Sequence, residues 1–328
     1  MQTRQLATAV SSALITATLG LAATANTASA ASLTLFHNND GESKLLGSGD
    51  FGGFDYFLGE LNAARTAATG AGRDVLTISS GDNFLAGLAW NASVDRRNAA
   101  GGLGSTFDFG GTNQSNYYDA LALTAVGYDA ITFGNHDFDF GPSVLGDFID
   151  GYESAGGSAT FLSANLDVSG EPALAPFDTS GRIASSTIVT RGAEQYGIIG
   201  ATTENLANIS SPGTNITINE VAAAVNAEVA ALTGAGVNKI ILSSHLQGID
   251  APNGDEALIP LISGVDVIIA GGGDELLRNG PDANTEARFG PDIDGPYPLI
   301  STATDGDGNN IALVTTQGEY RYIGELEV

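Results

Sequence analysis

The sequence has 328 residues, of which 43% are hydrophobic, so it is long and apolar enough to form one large folded domain. Its formal net charge of −26, from 12 basic and 38 acidic residues, disfavours nucleic-acid duplexes and anionic membranes as partners. The sequence contains no cysteine, which excludes disulfide bonds and thiolate metal sites.

Residues 1–30 have the pattern of a cleaved secretory signal. Arg4 is the only charged residue in this segment; an apolar run follows it, and the segment ends in Ala28-Ser29-Ala30. We expect cleavage after Ala30 and a mature domain over 31–328. The apolar run is broken by Ser, Thr and Gly and is too short to span a bilayer, so no stable membrane anchor is expected. Export without disulfide bonds suits a bacterial protein of the periplasm or the extracellular space.

After residue 30, short apolar runs alternate with helical patterns, which favours β-α units. Strands are predicted at 33–36, 75–79, 130–133, 160–163, 187–189, 197–200, 239–242, 265–269, 299–300 and 311–314. Helices are predicted around 54–61, over 117–126, from about Pro142 and over 220–232. The segment 90–113 is rich in Gly, Asn and Ser and is predicted to be an inserted surface loop.

Polar side chains follow several predicted strands at the point where each strand ends. They are Asp40 with Glu42, Asp82, Asn135 with His136, His245, and Asp274. In an open α/β sheet, ligands bind at the edge formed by these strand ends. An isolated Asn-His-Asp string is more often a polar turn, but several acidic strand ends together are not explained by turns. Clustered carboxylates cannot all stay ionised unless a cation neutralises them, so the sequence predicts a metal site.

Six segments of the chain resemble the calcineurin-like metallophosphoesterase superfamily, in particular its bacterial secreted 5′-nucleotidase branch. These segments are 37–40, 79–83, 134–139, 161–167, 243–245 and 318–324. The resemblance implies a four-layer α/β/β/α sandwich of two mixed sheets flanked by helices. It also implies hydrolysis of phosphomonoesters such as 5′-nucleotides, by hydroxide formed from water on two divalent ions.

The resemblance also assigns roles to individual residues. Asp82 would bridge both ions and Asp40 would bind the first, while Asn135 and His245 would hold the second. His136 would not be a ligand; it would face the phosphate as an acid–base group, oriented by Asp139. For His37, which precedes these residues, we expect a structural hydrogen bond.

Three positions depart from the family pattern. Glu42 and Asp274 stand where the family has histidine, and Gly272 offers no side chain in place of another histidine. The first site would then consist of oxygen ligands from Asp40, Glu42, Asp82 and Asp274. Such ligands suit Mg, Ca or Mn better than Zn, and the identity of the metal stays open among these four. The second site would lose one ligand.

Further expectations concern the end of the chain and the alternative functions. Secreted 5′-nucleotidases carry a further C-terminal domain that binds the base; we expect it to be absent here and the range of phosphoesters to be broader. The run from Asp305 to Asn309 resembles the start of an EF-hand loop, but Thr316 stands at the twelfth position, which favours a hairpin turn. One alternative is a phosphodiesterase acting on cyclic nucleotides or nucleotide sugars. Another is a non-catalytic exported calcium-binding protein. The intact pair His136 and Asp139 favours an enzyme, whereas Gly272 favours the binding protein.

Overall fold

Two six-stranded sheets form the centre of the fold in the computed structural model, which describes residues 32–48, 51–99, 116–279 and 294–328. In spatial order, the first sheet contains β16 (Gly324–Glu327), β1 (Leu33–Asn38), β4 (Asp74–Ser79), β5 (Ala130–Thr132), β6 (Thr160–Leu162) and β8 (Ile183–Ala184). The second contains β14 (Leu299–Thr304), β15 (Asn310–Val314), β13 (Val267–Gly271), β12 (Ile240–His245), β10 (Glu194–Thr202) and β9 (Ser186–Arg191). The predicted signal segment, residues 1–30, lies outside the described residues.

Both sheets are mixed. β16, β14 and β9 run antiparallel to their neighbours, whereas the remaining neighbours pair in parallel. Two short antiparallel pairs lie beside the main sheets: β2 (Leu46–Ser48) with β3 (Phe51–Gly53), and β7 (Leu166–Asp167) with β11 (Thr217–Ile218).

The helices cover the outer faces of the two sheets. They are α1 (Phe54–Gly70), α2 (Leu88–Ala99), α3 (Tyr118–Val126), α4 (Pro142–Ser154), α5 (Ala175–Ser180), α6 (Leu206–Ile209), α7 (Val221–Gly234) and α8 (Asp255–Leu258), with short 3₁₀ turns at His136–Phe138 and Ile259–Leu261. Pro142 is suited to the first turn of α4, where no backbone N–H donor is needed. At the start of α7, the Glu220 side chain accepts a hydrogen bond from the Ala223 N–H.

Alternation of side chains along the central strands produces three apolar layers. In β1, Leu35 packs between the two sheets, whereas Phe36 packs against the helices of the first sheet. In β12, Ile241 packs between the sheets and Leu242 packs against the helices of the second sheet. Strands buried on both faces are expected in parallel sheets covered by helices. The predicted four-layer sandwich of two mixed sheets is therefore confirmed.

Hydrogen bonds between the sheets draw their carboxyl edges together. Ser243 Oγ lies 2.9 Å from Ser80 Oγ and accepts from Thr132 Oγ1 at 2.7 Å. Thr202 Oγ1 donates to the Phe133 carbonyl at 2.8 Å. These four side chains are buried, so their hydroxyl groups need partners inside the protein. The loops that leave β1, β4, β5 and β12 consequently begin at one place.

Two local predictions have clear outcomes. The prediction of a surface loop over 90–113 is wrong for its first part, because Leu88–Ala99 forms α2, with Trp90 stacked against Phe84 and Tyr117. Burial of this indole outweighs the polar composition of the helix; residues 100–115 lie outside the described part. The hairpin turn is confirmed, because Asp305 Oδ1 accepts the Asp307 and Asn309 N–H groups between two antiparallel strands. Within the described ranges, no helix is both long and apolar enough to span a bilayer.

Candidate metal centre

Five of the six predicted metal ligands come together at the shared carboxyl edge of the sheets. Asp40, Asp82 and His245 present ligand atoms within 4.8 Å of one another, and so do Glu42, Asp82 and His136. Asn135 completes the first group, since its Oδ1 lies 3.2 Å from His245 Nε2. Asp82 belongs to both groups and therefore lies at the centre of the site.

Asp82 is buried and held from several sides. Its Oδ1 accepts the His136 N–H at 2.7 Å, and its Oδ2 lies 3.0 Å from His245 Nε2. Its carbonyl accepts the Glu42 N–H at 2.9 Å, which connects the loops after β1 and β4. Burial alone would raise the pKa of Asp82, but the charges of His245 and His136 hold it below its ordinary value. Asp82 and Asp40 both have positive φ angles, 52° and 51°, a backbone strain often found at functional sites.

His245 presents one ring nitrogen to a set of oxygen atoms. Nδ1 donates to the Ser80 carbonyl at 2.7 Å, so in the neutral ring Nε2 carries the lone pair. Nε2 faces Asp82 Oδ2 and Asn135 Oδ1, with Asp40 Oδ1 at 3.9 Å. Burial lowers the pKa of His245, but the Asp82 and Asp40 carboxylates outweigh it and raise the pKa to about 10. The negative charges of Asp82 and Asp40 therefore favour a positive charge at Nε2, carried either by a proton or by a metal ion.

Asp40 occupies the turn after β1. Its Oδ2 accepts the Gly272 N–H at 3.0 Å and the Asn39 amide, while Oδ1 remains directed toward His245. Burial, together with repulsion from Asp82, raises the pKa of Asp40 to about 7. A divalent ion would stabilise the ionised form of this carboxyl group.

His136 forms a separate hydrogen-bonded chain at the edge of the site. Nδ1 donates to Asp139 Oδ2 at 2.6 Å, and Asp139 Oδ1 accepts from Ser210 Oγ at 2.8 Å. Burial lowers the pKa of His136, but the negative charges of Asp82, Asp139 and Glu42 raise it overall. The imidazole is only half-buried.

The other predicted residues lie in different surroundings. Glu42 is partly buried, and burial and the charge of Asp82 raise its pKa. Asp274 is exposed and belongs to neither group of ligand atoms, so the structure does not bring it to the other five residues. Of the four oxygen ligands predicted for the first site, Asp40, Glu42 and Asp82 lie at the shared edge, with Asp40 and Glu42 in different groups of ligand atoms around Asp82. His37 is buried and bonds through Nε2 to the Tyr297 hydroxyl at 2.8 Å.

Several residues that support the site were not predicted from the sequence. Asp137 accepts the Gly134 and Asn83 N–H groups at 2.8 and 3.0 Å, which shapes the loop that carries Asn135 and His136. Ser210 and Gln247 join the site from loops without a recognisable motif. Only Asn83 and Asp137 lie inside motifs that could have drawn attention to them.

The donor atoms suit a divalent cation. They combine buried carboxylates, an amide oxygen and an imidazole whose other nitrogen is held by a carbonyl, which is the usual outer partner of a histidine ligand. Carboxylate and amide oxygens are ligands of Mg, Ca and Mn, and imidazole is a ligand of Zn, so the donor set is compatible with all four ions.

Comparison with known proteins agrees with this geometry. No family model matches the chain. The chain is 32% identical to 5′-nucleotidase from Bos taurus over 206 residues, which are 63% of this chain and 33% of that protein. It is 35% identical over 182 residues to the trifunctional nucleotide phosphoesterase protein YfkN of Bacillus subtilis, covering 49% of this chain and 12% of that protein.

Solved structures show the same architecture. The fold superposes on the 5′-nucleotidase precursor from Thermus thermophilus with a TM-score of 0.70 and 28% identity, covering 90% of this chain and 51% of that one. For the NAD nucleotidase of Haemophilus influenzae the TM-score is 0.67 at 22% identity, a likeness of fold alone, over 90% of this chain and 47% of that one.

Fold, strand-end acids and sequence similarity together define a metal-dependent phosphoesterase architecture, and the chain belongs to the metallophosphoesterase superfamily. Within that superfamily it corresponds to the N-terminal metal-binding domain of 5′-nucleotidases. The chain spans about a third of the length of the mammalian 5′-nucleotidases that it matches.

Proposed function

We propose that this chain hydrolyses phosphate esters outside the cytoplasm, using two divalent metal ions and preferring phosphomonoesters such as 5′-nucleotides. The observation that carries the proposal is the position of Asp82 in both groups of ligand atoms. Two neighbouring dications would neutralise the phosphate and lower the pKa of a bound water molecule. The matched relatives named 5′-nucleotidase support the choice of substrate class.

Each group of residues has a distinct part in this proposal. Asp40 and Glu42 would hold one metal ion beside Asp82, and Asn135 and His245 would hold the other. His136 lies at the open edge and would donate a proton to the departing oxygen or stabilise charge on the phosphate. Its Nδ1 is bonded to Asp139, so the proton available for transfer is on Nε2.

The proposal is tested by removing metal and restoring it. Protein stripped with a chelator should hydrolyse neither an aryl phosphate nor AMP, and Mn or Mg should restore both activities. Zn and Ca are added in the same way, and the activity restored by each of the four ions shows which one the site prefers. Failure of all four ions to restore hydrolysis, in protein that binds them, would contradict the proposal and favour a calcium-binding protein without catalysis.

A phosphodiesterase is the second candidate function, which the similarity to a trifunctional nucleotide phosphoesterase supports. The two reactions differ in whether the phosphate carries one ester group or two. An aryl phosphate diester, assayed beside the monoester with the same metal, separates them. Faster hydrolysis of the diester would replace the monoesterase proposal.

We also propose that the protein is exported, because residues 1–30 have the pattern of a secretory signal. Mass spectrometry of the protein recovered from a bacterial host should show a chain that begins after Ala30. A chain that starts at Met1 and stays inside the cell would contradict export.

A further inference from the structure

Gly272 lacks the side chain that the family pattern has at this position, and Gln247 occupies the space beside it. A Cβ atom added to Gly272 would lie 2.9 Å from Gln247 Nε2, 2.9 Å from the Gln247 backbone nitrogen and 2.9 Å from His245 Nε2. A side chain at 272 and the present position of Gln247 therefore exclude each other. The glycine, at a φ of 82°, leaves the room that the glutamine fills.

The Gln247 side chain reaches the same atom that His245 faces. Its Nε2 donates to Asn135 Oδ1 at 2.5 Å, and the same oxygen lies 3.2 Å from His245 Nε2. Gln247 is half-buried and has a φ of 71°, an uncommon conformation for a residue with a side chain. The turn after β12 thus holds this amide against the metal centre under some backbone strain.

Charge decides which end of the amide faces the site when metal is bound. A cation between His245 Nε2 and Asn135 Oδ1 repels an NH₂ group and attracts a carbonyl oxygen. The two ends of a glutamine amide have nearly the same shape, so a half-turn about the last side-chain torsion exchanges them without other movement. Amide oxygen atoms are ordinary ligands of hard divalent cations.

We propose that Gln247 replaces the missing histidine and that its amide oxygen is a ligand of the metal ion held by Asp82, Asn135 and His245. This inference rests on the two-metal centre of the proposed function. It adds a ligand to the second site, to which the described residues otherwise contribute Asp82, Asn135 and His245.

The test measures metal binding, not catalysis. Mn²⁺ is titrated into chelator-treated full-length protein, and the number of ions and their affinities are followed by calorimetry and electron paramagnetic resonance. Gln247→Gly removes the amide and relieves the positive φ, so it should fold at least as well as the wild type. Gln195→Ala, at an exposed glutamine, is the control.

We expect two Mn²⁺ ions per wild-type chain and per Gln195→Ala chain. In Gln247→Gly one site should weaken by about 100-fold or more while the other keeps its affinity. Gln247→Glu should retain both ions, because a carboxylate supplies a ligand oxygen. The same carboxylate cannot donate a hydrogen bond to Asn135, so this variant separates metal binding from that hydrogen bond.

The outcomes separate this proposal from the proposed function. Unchanged affinities in Gln247→Gly, or a loss in Gln247→Glu as large as in Gln247→Gly, would overturn the role of Gln247 as a ligand. A wild type that binds one ion would overturn it together with the two-metal centre. A wild type that binds two ions yet hydrolyses no phosphate ester would overturn the proposed activity and leave the assignment of Gln247 standing.

Discussion

In the proposed reaction His136 depends on its neighbours for both orientation and charge. Asp139 fixes one ring nitrogen, and Ser210 fixes Asp139 in turn. Of the three, only His136 lies in a group of candidate ligand atoms, that of Glu42 and Asp82, and in the proposed reaction it is not a ligand. Catalysis and metal binding should therefore be separable by substitution.

His136→Ala should lower kcat for an aryl phosphate by about 10²-fold to 10⁴-fold, the range associated with loss of a general acid or base. Asp139→Asn should cause a smaller loss, because the imidazole remains but loses its charged partner. Metal content, measured by mass spectrometry of the purified variants, should stay at the wild-type level. Asp150→Asn, at an exposed position on α4, is the control. Full activity in His136→Ala would contradict the assigned role.

Asp119 carries a buried carboxyl group with an unusual pKa. Its Oδ2 accepts from Ser43 Oγ at 3.0 Å, while its buried Oδ1 has no hydrogen-bond partner among the described residues. Burial raises the pKa of Asp119 from 3.8 to about 7. Stability linked to this group is fully present below the pKa of the unfolded chain and is lost as the pH rises through the folded-state pKa.

Asp119→Asn should therefore stabilise the protein at pH 8, since it removes a buried charge and keeps an acceptor for Ser43. The gain in the free energy of unfolding should be about 2–3 kcal/mol smaller at pH 5 than at pH 8. Urea denaturation at the two pH values measures this difference. Asp55→Asn, at an exposed site on α1, is the control. A difference between Asp119→Asn and wild type that does not change with pH would be inconsistent with the raised pKa.

Among the structural elements, the loop after β5 places the site most directly. A Cβ atom at Gly134 would lie 2.1 Å from Asp82 Oδ1 and 2.5 Å from the Asp82 backbone nitrogen. Only glycine allows the loops after β4 and β5 to approach this closely. The position of Asp82, and with it the metal centre, depends on the absence of a side chain at Gly134.

Gly134→Ala should abolish both tight metal binding and hydrolysis, because the added methyl group displaces the Asp82 carboxylate. Gly59→Ala is the matched control: Gly59 lies exposed within α1, and nothing lies within 4 Å of the position that an added methyl group would take. That substitution should raise stability by about 0.5–1 kcal/mol and leave metal affinity unchanged. Calorimetric titration with Mn²⁺ and thermal unfolding measure both effects. Wild-type metal affinity in Gly134→Ala would show that the close approach of the two loops is dispensable.

The elements that could be predicted from the sequence are those with a strong local pattern. Strands such as β4 and β12 are apolar on both faces because two layers cover them, and their runs are easy to recognise. The pairs β2–β3 and β7–β11 have only two or three residues per strand and no periodic signal. For α2, the polar composition concealed the buried stacking of Trp90.

The residues of the candidate site also differ in how far the sequence predicts them. Asp40, Asp82 and His245 each follow a recognisable strand, so their convergence could be expected from topology. Gln247 and Ser210 lie on loops, and only the three-dimensional fold brings them to Asn135 and Asp139. Asp274 is the opposite case. It was predicted as a ligand from its position in a motif, but its side chain is exposed and lies apart from the site.

At the scale of the whole molecule, the site exists because two sheets present their carboxyl edges to one place. The first sheet supplies Asp40, Asp82 and Asn135, and the second supplies His245. With a net charge of −26, the chain repels anions, and in the proposed function bound cations supply the opposing attraction for the substrate. Metal binding should also stabilise the packing of the two sheets, by about 2.7 kcal/mol at a free metal concentration 100 times the Kd.

In the proposed function Asp82 is the carboxylate shared by two metal ions. The most direct measurement is the number of Mn²⁺ ions bound per chain by Asp82→Asn and by wild type, with circular dichroism to verify that both are folded. We predict two ions for wild type, and in folded Asp82→Asn the loss of tight binding at both sites together with hydrolysis of AMP. Folded Asp82→Asn that binds two ions with wild-type affinity would contradict this shared role of Asp82.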